Sequence, residues 1–146
     1  MILYTIGFTQ KTAKQFFELI KKNKIELLLD VRLNNKSQLA GFAKGDDVAY
    51  FLHEICQCKY EHCLEFAPTK ELLDGYKDKR INWSEYEKQY STLIDERKSI
   101  SGFVERFHDY RSICFLCSEP ASDRCHRQLL VNMIVKNSPE ITIKHI

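Results

Sequence analysis

The sequence predicts an α/β protein with a mainly parallel sheet flanked by helices, and two observations lead to this class. Short apolar, β-branched runs alternate along the chain with segments in which apolar residues recur at helical spacing. One run, residues 25–31, is almost unbroken in its apolar character, which is typical of a strand covered on both faces. At 146 residues, the chain fits a single α/β domain over residues 1–146.

The first elements form a βαβ unit. Residues 2–6 predict a buried strand that ends at Gly7, where a glycine allows a close approach of another segment. Thr12 and Gln15 have the spacing of a capping box, so a helix is expected to begin there. Residues 25–31 then form the second strand, and the crossover between the two strands is expected to be right-handed.

The following stretch changes character several times. Residues 33–47 are rich in Asn, Gly and Asp with little periodicity, which indicates a long loop. Apolar residues at helical spacing over 48–55 predict a short amphipathic helix, and weak alternation over 59–64 predicts a third strand. Residues 68–76 are expected to form a further helical turn.

A long helical region comes next. Ser84 and Glu87 have the spacing of a second capping box and predict its start. We expect this region to bend or break near residues 101–102, where a glycine follows a serine.

The C-terminal segment completes the pattern. Residues 112–118 predict a strand, residues 119–121 a loop, residues 122–136 a helix, and residues 141–143 a final strand. The order of strands and helices therefore predicts a Rossmann-like, three-layer arrangement.

Composition and charge exclude several classes of protein. Apolar residues make up 44% of the chain, whereas glycine and proline number only 5 and 3, so the chain is neither disordered nor collagenous. Lysine and arginine number 22 against 20 acidic residues, so any anion site must be local. The opening MILYTIGF lacks the features of a secretion signal or a membrane span, so we expect a cytoplasmic protein with 6 reduced cysteines and no membrane partner.

Chemically active residue types follow three of the predicted strands. Gly7 ends the first strand, Asp30 and Arg32 end the second, and Cys117 and Glu119 end the late one. Ligands of open α/β sheets bind beyond the carboxyl ends of the strands, so these ends form one crevice if the late strand lies beside the first or second. The residues expected to converge there are Asp30, Arg32, Cys117, Glu119, Cys125, His126 and Arg127.

The helix after the late strand adds an anion site to this edge. His126 lies on its apolar stripe at the first turn, and Arg127 follows. Unpaired N–H groups and the helix dipole attract anions there, and they are expected to lower the pKa of Cys125 so that it alkylates faster than Cys114. The alternative is structural: Asp30 pairs with an arginine, Arg32 or Arg127, and His126 is a buried imidazole whose hydrogen bonds are satisfied.

The cysteines also allow a metal interpretation. Strand alternation places Cys114 and Cys117 on opposite faces, which weakens a zinc or thioredoxin-like interpretation of their CxxC spacing. We predict no resident metal, and no cofactor follows from the sequence. Two zinc sets stay open as alternatives: Cys114, Cys117, Cys125 and His126, or Cys56, Cys58, His62 and Cys63.

Four groups of residues occur in a recognisable order along the chain: Tyr4-Thr5-Ile6-Gly7, Asp30-Val31-Arg32 with Ser37 and Phe42, Leu116-Cys117-Ser118-Glu119, and Cys125-His126-Arg127. In these residues the chain resembles the family called domain of unknown function 488. Two departures occur: Phe8-Thr9 stands where the family usually has Ser, and Leu33-Asn34-Asn35 lacks its usual Pro. The resemblance implies an α/β fold and a polar site built from these motifs, but it implies no particular reaction.

Three functions compete. The first is an enzyme for an anionic ligand, such as a small phosphate compound, a nucleotide or the end of a nucleic acid. The second is a binding module for nucleic acid or protein, which needs no reactive thiol, and the third is a metal or redox sensor that uses the cysteines. For the enzyme, Arg32 and Arg127 hold the anion, with Asp30, Gly7 and Thr9 at the ligand, Glu119 as acid or base, and Cys117 or Cys125 as a nucleophile oriented by His126. The sequence does not predict an oligomeric state.

Overall fold

The structure is a computed structural model that describes residues 1–36, 40–119 and 123–146. Ser37 of the resemblance, residues 120 and 121 of the predicted loop, and the predicted helix start at residue 122 lie outside these ranges. The described residues form one five-stranded sheet with α-helices and two short 3-10 helices, Gly41–Ala43 and Leu64–Phe66. The elements are β1 (Ile2–Gly7), α1 (Ala13–Lys22), β2 (Leu27–Asp30), α2 (Gly45–Cys56), β3 (Lys59–His62), α3 (Lys70–Lys77), α4 (Trp83–Arg97), α5 (Phe103–Arg106), β4 (Ser112–Cys117), α6 (His126–Asn137) and β5 (Thr142–His145).

The strand order is β3-β2-β4-β1-β5, and every pair of neighbouring strands is parallel. This confirms the predicted α/β class with a parallel sheet. β4 lies between β1 and β2, with Cys117 beside Gly7 and Leu116 beside Asp30. The carboxyl ends of the three strands singled out by the sequence therefore meet at one edge of the sheet.

Helices cover both faces of the sheet, and two apolar clusters fill the space between the layers. One cluster contains Phe115 and Cys117 of β4 with the buried residues of α3, α4 and α6. The other contains Cys114 and Leu116 of the same strand with the buried residues of α1 and α2. The predicted alternation along β4 is thus confirmed. None of the helices in the described residues is long and apolar enough to cross a membrane.

Local signals set several boundaries correctly. Thr12 and Gln15 form the predicted capping box of α1, with the hydroxyl of Thr12 accepting from the Gln15 N–H at 3.1 Å. The predicted third strand is present as β3. Gly102 has a φ of 76° between α4 and α5, so the long helical region breaks where the sequence predicted.

Other boundaries were wrong for identifiable reasons. The second capping box does not form, because Asn82 caps α4 by accepting from the Glu85 N–H at 2.8 Å. α2 begins at Gly45, inside the predicted loop 33–47, since two aspartates in its first turn complement the helix dipole. α6 begins only at His126, because Arg124, with a φ of 53°, has left-handed backbone that cannot continue a helix.

Candidate functional site

The segment after β4 crosses directly over the end of β1. A Cβ added to Gly7 would lie 1.6 Å from the carbonyl oxygen of Glu119, so only glycine leaves room for this crossing. Thr9 holds the same segment, because its N–H and its hydroxyl donate to the carbonyl oxygen of Ser118 at 3.2 and 2.6 Å. Gly7 and Thr9 therefore fix the backbone that follows Cys117, whereas the sequence predicted them at the ligand.

Arg127 also contacts the segment after β4. Its Nη1 donates to the carbonyl oxygen of Glu119 at 2.6 Å and lies 3.8 Å from the sulfur of Cys125. The side chain is only 1% exposed, and its Nε has no hydrogen-bond partner within the described residues. Arg127 is thus turned toward protein atoms, and direct contact with a ligand stays a prediction.

Three chemically active side chains meet at the end of β4 and the start of α6. Cys117, Cys125 and His126 are buried, and their potential ligand atoms all lie within 4.8 Å of one another. The sulfur of Cys117 is 3.7 Å from Nδ1 and 3.8 Å from Nε2 of His126. Nε2 lies 2.9 Å from the carbonyl oxygen of Val31 and donates to it, which leaves the lone pair of Nδ1 free near the sulfur.

The pKa values of Cys117 and Cys125 shift in opposite directions, because the two thiols lie close together. The pKa of Cys117 is lowered, chiefly by the neighbouring thiol of Cys125, which can donate to its sulfur. The charge of Arg127 and the N–H groups of residues 118 and 119 act in the same direction, against desolvation by burial. The neighbouring sulfur of Cys117 and burial raise the pKa of Cys125, whereas the sequence predicted a lowered pKa at the helix N-terminus.

Asp30 and Arg32 form a buried ion pair on the side of the sheet covered by α1 and α2. Nε and Nη2 of Arg32 donate to the two carboxylate oxygens of Asp30 at 2.8 and 2.7 Å, and Nη2 also donates to the carbonyl of Ala43 at 2.7 Å. Tyr60 donates to Asp30 at 2.6 Å, and burial together with this carboxylate raises the pKa of Tyr60. The structural alternative for Asp30 and Arg32 is therefore the arrangement observed.

A cavity of about 260 Å³ opens at this edge of the sheet. It is referred to below as the edge cavity. Asp30, Arg127, Gly7 and Thr9 are not part of its wall among the described residues. The predicted residues that line it are Arg32, Cys117, Glu119, Cys125 and His126, joined by Tyr76, Trp83, Tyr86 and Arg124.

Sequence reasoning missed the aromatic wall of the edge cavity. Tyr86 and Tyr90 have helical spacing within the predicted long helical region, and both side chains are buried. The rings of Trp83, Tyr86 and Tyr90 form a stack, with interplanar angles of 14° and 5° between successive rings. The concentration of aromatic residues between 76 and 90 was the available signal, but nothing in the sequence placed α4 beside the end of β4.

Neither four-residue zinc set comes together. Cys114 lies in the opposite apolar cluster from Cys117, and Cys58 and Cys63 also lie on opposite faces of the sheet. The three residues Cys117, Cys125 and His126 remain a donor set of the kind that zinc uses in open sites.

Comparisons with known proteins give one match. A family model described as "Domain of unknown function DUF488" matches residues 12–134. The comparisons with curated proteins and with solved structures gave no match. The matched region contains every residue of the edge cavity, including the two cysteines and the histidine.

Proposed function

The chain belongs to the DUF488 family, and from that premise we propose that its edge cavity is an enzyme site for an anionic, phosphate-bearing ligand, with Cys117 as the nucleophile. The observation that carries this proposal is the position of Cys117. Its sulfur ends the central strand on the wall of the edge cavity, within 4.8 Å of the sulfur of Cys125 and 3.7 Å from Nδ1 of His126. A thiolate is the attacking form of cysteine, and these surroundings favour it.

The neighbouring residues then take distinct parts in one step. The sulfur of Cys117 forms a bond to the electrophilic centre of the ligand, and the bond to the leaving group breaks. The leaving group takes the electron pair of that bond and a proton, which comes from water or from His126 once His126 has accepted the thiol proton. His126 holds the sulfur in place from α6, and its free Nδ1 accepts the thiol proton when Cys117 ionises.

The anion is bound by arginines at the mouth of the edge cavity. Arg124 is exposed on its rim, while Arg32 reaches it from the ion pair with Asp30. Because Arg32 is already neutralised by Asp30, Arg124 supplies most of the unpaired positive charge. The cytoplasmic location predicted from the sequence is part of this proposal, since a reducing compartment keeps both thiols free.

The rate of alkylation in the folded protein tests whether Cys117 is the most reactive of the three thiols Cys114, Cys117 and Cys125. Iodoacetamide is applied at neutral pH, and the rate at each cysteine is followed by mass spectrometry. We expect Cys117 to react before Cys125 and Cys114, since burial raises the pKa of Cys114 and donation to Cys117 raises that of Cys125. The matched control is Cys114→Ser, which removes a thiol from the opposite face of the same strand and should leave the rate at Cys117 unchanged.

Two results would overturn the enzymatic proposal. Equal rates at Cys117 and Cys114 would leave only a binding module. Stoichiometric zinc in the purified, untagged protein, measured by elemental analysis, would assign Cys117, Cys125 and His126 to a metal centre instead.

Thermal denaturation tests whether a phosphate-bearing anion binds at Arg124. A nucleoside monophosphate should raise the Tm of the parent protein by binding only the folded state. Arg124→Ala should abolish this rise, whereas Arg111→Ala, which removes an exposed arginine at the other end of β4, should not. An equal rise in both variants would place the anion elsewhere.

A further inference from the structure

A second, larger cavity adjoins the edge cavity. Its volume is about 1000 Å³, and the two share Tyr76, Trp83, Glu119 and Arg124 in their walls. It continues from there past Lys77 and Lys79 at the end of α3 to the first turn of α4. We call this second cavity the lysine groove. Together the two spaces have more room than a single small ligand needs.

The lysine groove combines exposed cations with a platform for stacking. Lys77, Lys79 and Arg124 are exposed in its wall against the single carboxylate of Glu119 within the described residues. Trp83 is half-buried at the outer end of the aromatic stack, with its ring 5.2 Å from that of Tyr86. The ring of Tyr76 also lies 5.6 Å from that of Trp83, and the part of the indole that lines the lysine groove is the surface on which a further ring would stack.

This pairing of positive charge with an aromatic face is the chemistry by which proteins bind single-stranded nucleic acid. The cations contact successive phosphates, while a base stacks on an aromatic ring without regard to its sequence. A simple anion site would need only the cations, whereas a nucleotide strand uses both the cations and the indole that share this wall. The charge of the lysine groove is also local, since the whole chain carries a net charge of only +2.

We propose that the lysine groove binds a single-stranded nucleic acid, with one base stacked on Trp83, so that the ligand of the edge cavity is a nucleotide of that strand. This inference deepens the proposed function and rests on it for the role of Cys117. It assigns a phosphate-binding role to Lys77 and Lys79 and a base-binding role to Trp83.

Tryptophan fluorescence gives a direct test, because Trp83 is the only tryptophan in the chain. A thymidylate decamer should quench this fluorescence in a saturable way, whereas inorganic tripolyphosphate, which has no base, should not. Binding should weaken with salt, and Lys77→Ala and Lys79→Ala should each reduce the slope of log K against log salt by about 0.7. Lys88→Ala, an exposed lysine of α4 outside the lysine groove, should leave the slope unchanged.

A second measurement connects the lysine groove to the edge cavity. Saturating decamer should slow the alkylation of Cys117 by iodoacetamide, and Trp83→Leu should weaken decamer binding, measured by anisotropy of a labelled decamer, about 10-fold. The inference would be overturned if the decamer does not bind. It would also be overturned if tripolyphosphate, which has no base, quenches the Trp83 fluorescence. Quenching without protection of Cys117 would also overturn it, by separating the strand from the edge cavity.

These outcomes remain distinct from failure of the proposed function. The preference for Cys117 over Cys114 is measured in the free protein, without any nucleic acid. If that preference is absent but the decamer still binds and quenches Trp83, the nucleophile is wrong and the lysine groove is a binding site without catalysis. If the preference is present and the decamer does not bind, the enzyme acts on a different anion.

Discussion

Gly7→Ala is expected to disrupt both the stability of the protein and the acidity of Cys117. The new Cβ would lie 1.6 Å from the carbonyl oxygen of Glu119, so the two atoms must separate by about 1.8 Å to reach ordinary contact at 3.4 Å. Such a shift breaks the two bonds from Thr9 to Ser118 and the bond from Arg127 to Glu119.

The size of the effect follows from the bonds lost. Each of the two Thr9 bonds contributes about 1 kcal/mol, and the bond from a charged guanidinium contributes about 1.5–3 kcal/mol. We therefore expect the free energy of unfolding to fall by about 3.5–5 kcal/mol. Because the N–H groups of residues 118 and 119 move away from the sulfur, the pKa of Cys117 should rise.

Urea unfolding measures the first effect, and the pH dependence of iodoacetamide labelling measures the second. Gly41→Ala is the matched control, since a Cβ at Gly41 meets nothing within 4 Å. It should change the free energy of unfolding by less than about 1 kcal/mol. If Gly7→Ala is as stable as Gly41→Ala and labels Cys117 with an unchanged pH profile, the crossing of β1 by the segment after β4 does not support the thiol.

Three further predictions concern buried groups. Cys125→Ala should raise the pKa of Cys117 and slow its labelling, whereas Cys125→Ser, which keeps a hydrogen-bond donor, should have a smaller effect. Identical pH profiles of Cys117 labelling in the parent protein and Cys125→Ala would exclude a hydrogen bond from Cys125 to Cys117. Burial raises the pKa of the Cys58 thiol from 9.0 to about 12. The stabilisation contributed by the buried neutral thiol is therefore complete below pH 9.0 and is lost as the pH rises to about 12. The free energy of unfolding should fall by about 4 kcal/mol over this range. Urea unfolding between these pH values should show a shallower decline for Cys58→Ala, and parallel curves would contradict this. Tyr60→Phe should lower the free energy of unfolding by about 1.5–3 kcal/mol, because the buried carboxylate of Asp30 loses a donor; calorimetry measures it, and an unchanged Tm would count against the bond.

The parts of the fold that depend on local pattern could be predicted from the sequence. A period of two places Cys114 and Cys117 on opposite faces whatever surrounds them, and the structure places them in different apolar clusters. The capping box of Thr12 and Gln15 is also local, since it joins residues three apart. The same reasoning failed at Ser84 because Asn82, two residues earlier, is an equally good cap.

Of the candidate site, only the residues at and just after the strand ends could be predicted from the sequence. The rule that ligands bind beyond the carboxyl ends of strands led to Cys117, Glu119 and His126. It could not show that the sulfur of Cys125 lies against that of Cys117, because this contact depends on how the segment between β4 and α6 is folded. An argument from the helix dipole alone therefore predicted a lowered pKa for Cys125 and left out the effect of the nearby Cys117 thiol.

The aromatic wall of the edge cavity could not be predicted from local pattern or from strand ends, because it depends on how the helices pack. Trp83 and Tyr86 lie on a helix whose position over the sheet is set by packing between α4, α6 and the sheet face. Periodicity shows which face of a helix is apolar, but not which strand end that face approaches. The lysine groove could therefore only be found in the folded structure.

The strand order has a consequence for how the protein folds. β2 and β3 are consecutive strands and neighbours in the sheet, so they can pair before β4 is synthesised, with residues 31–58 as their connection. β1 lies between β4 and β5, and its residue Ile2 pairs with Ser112 and Thr142, more than 100 residues further along the chain. Until those strands are synthesised, both edges of the apolar β1 remain unpaired, which exposes this strand to aggregation. Folding should therefore be slow for a domain of this size, with closure of the sheet around β1 as its last step.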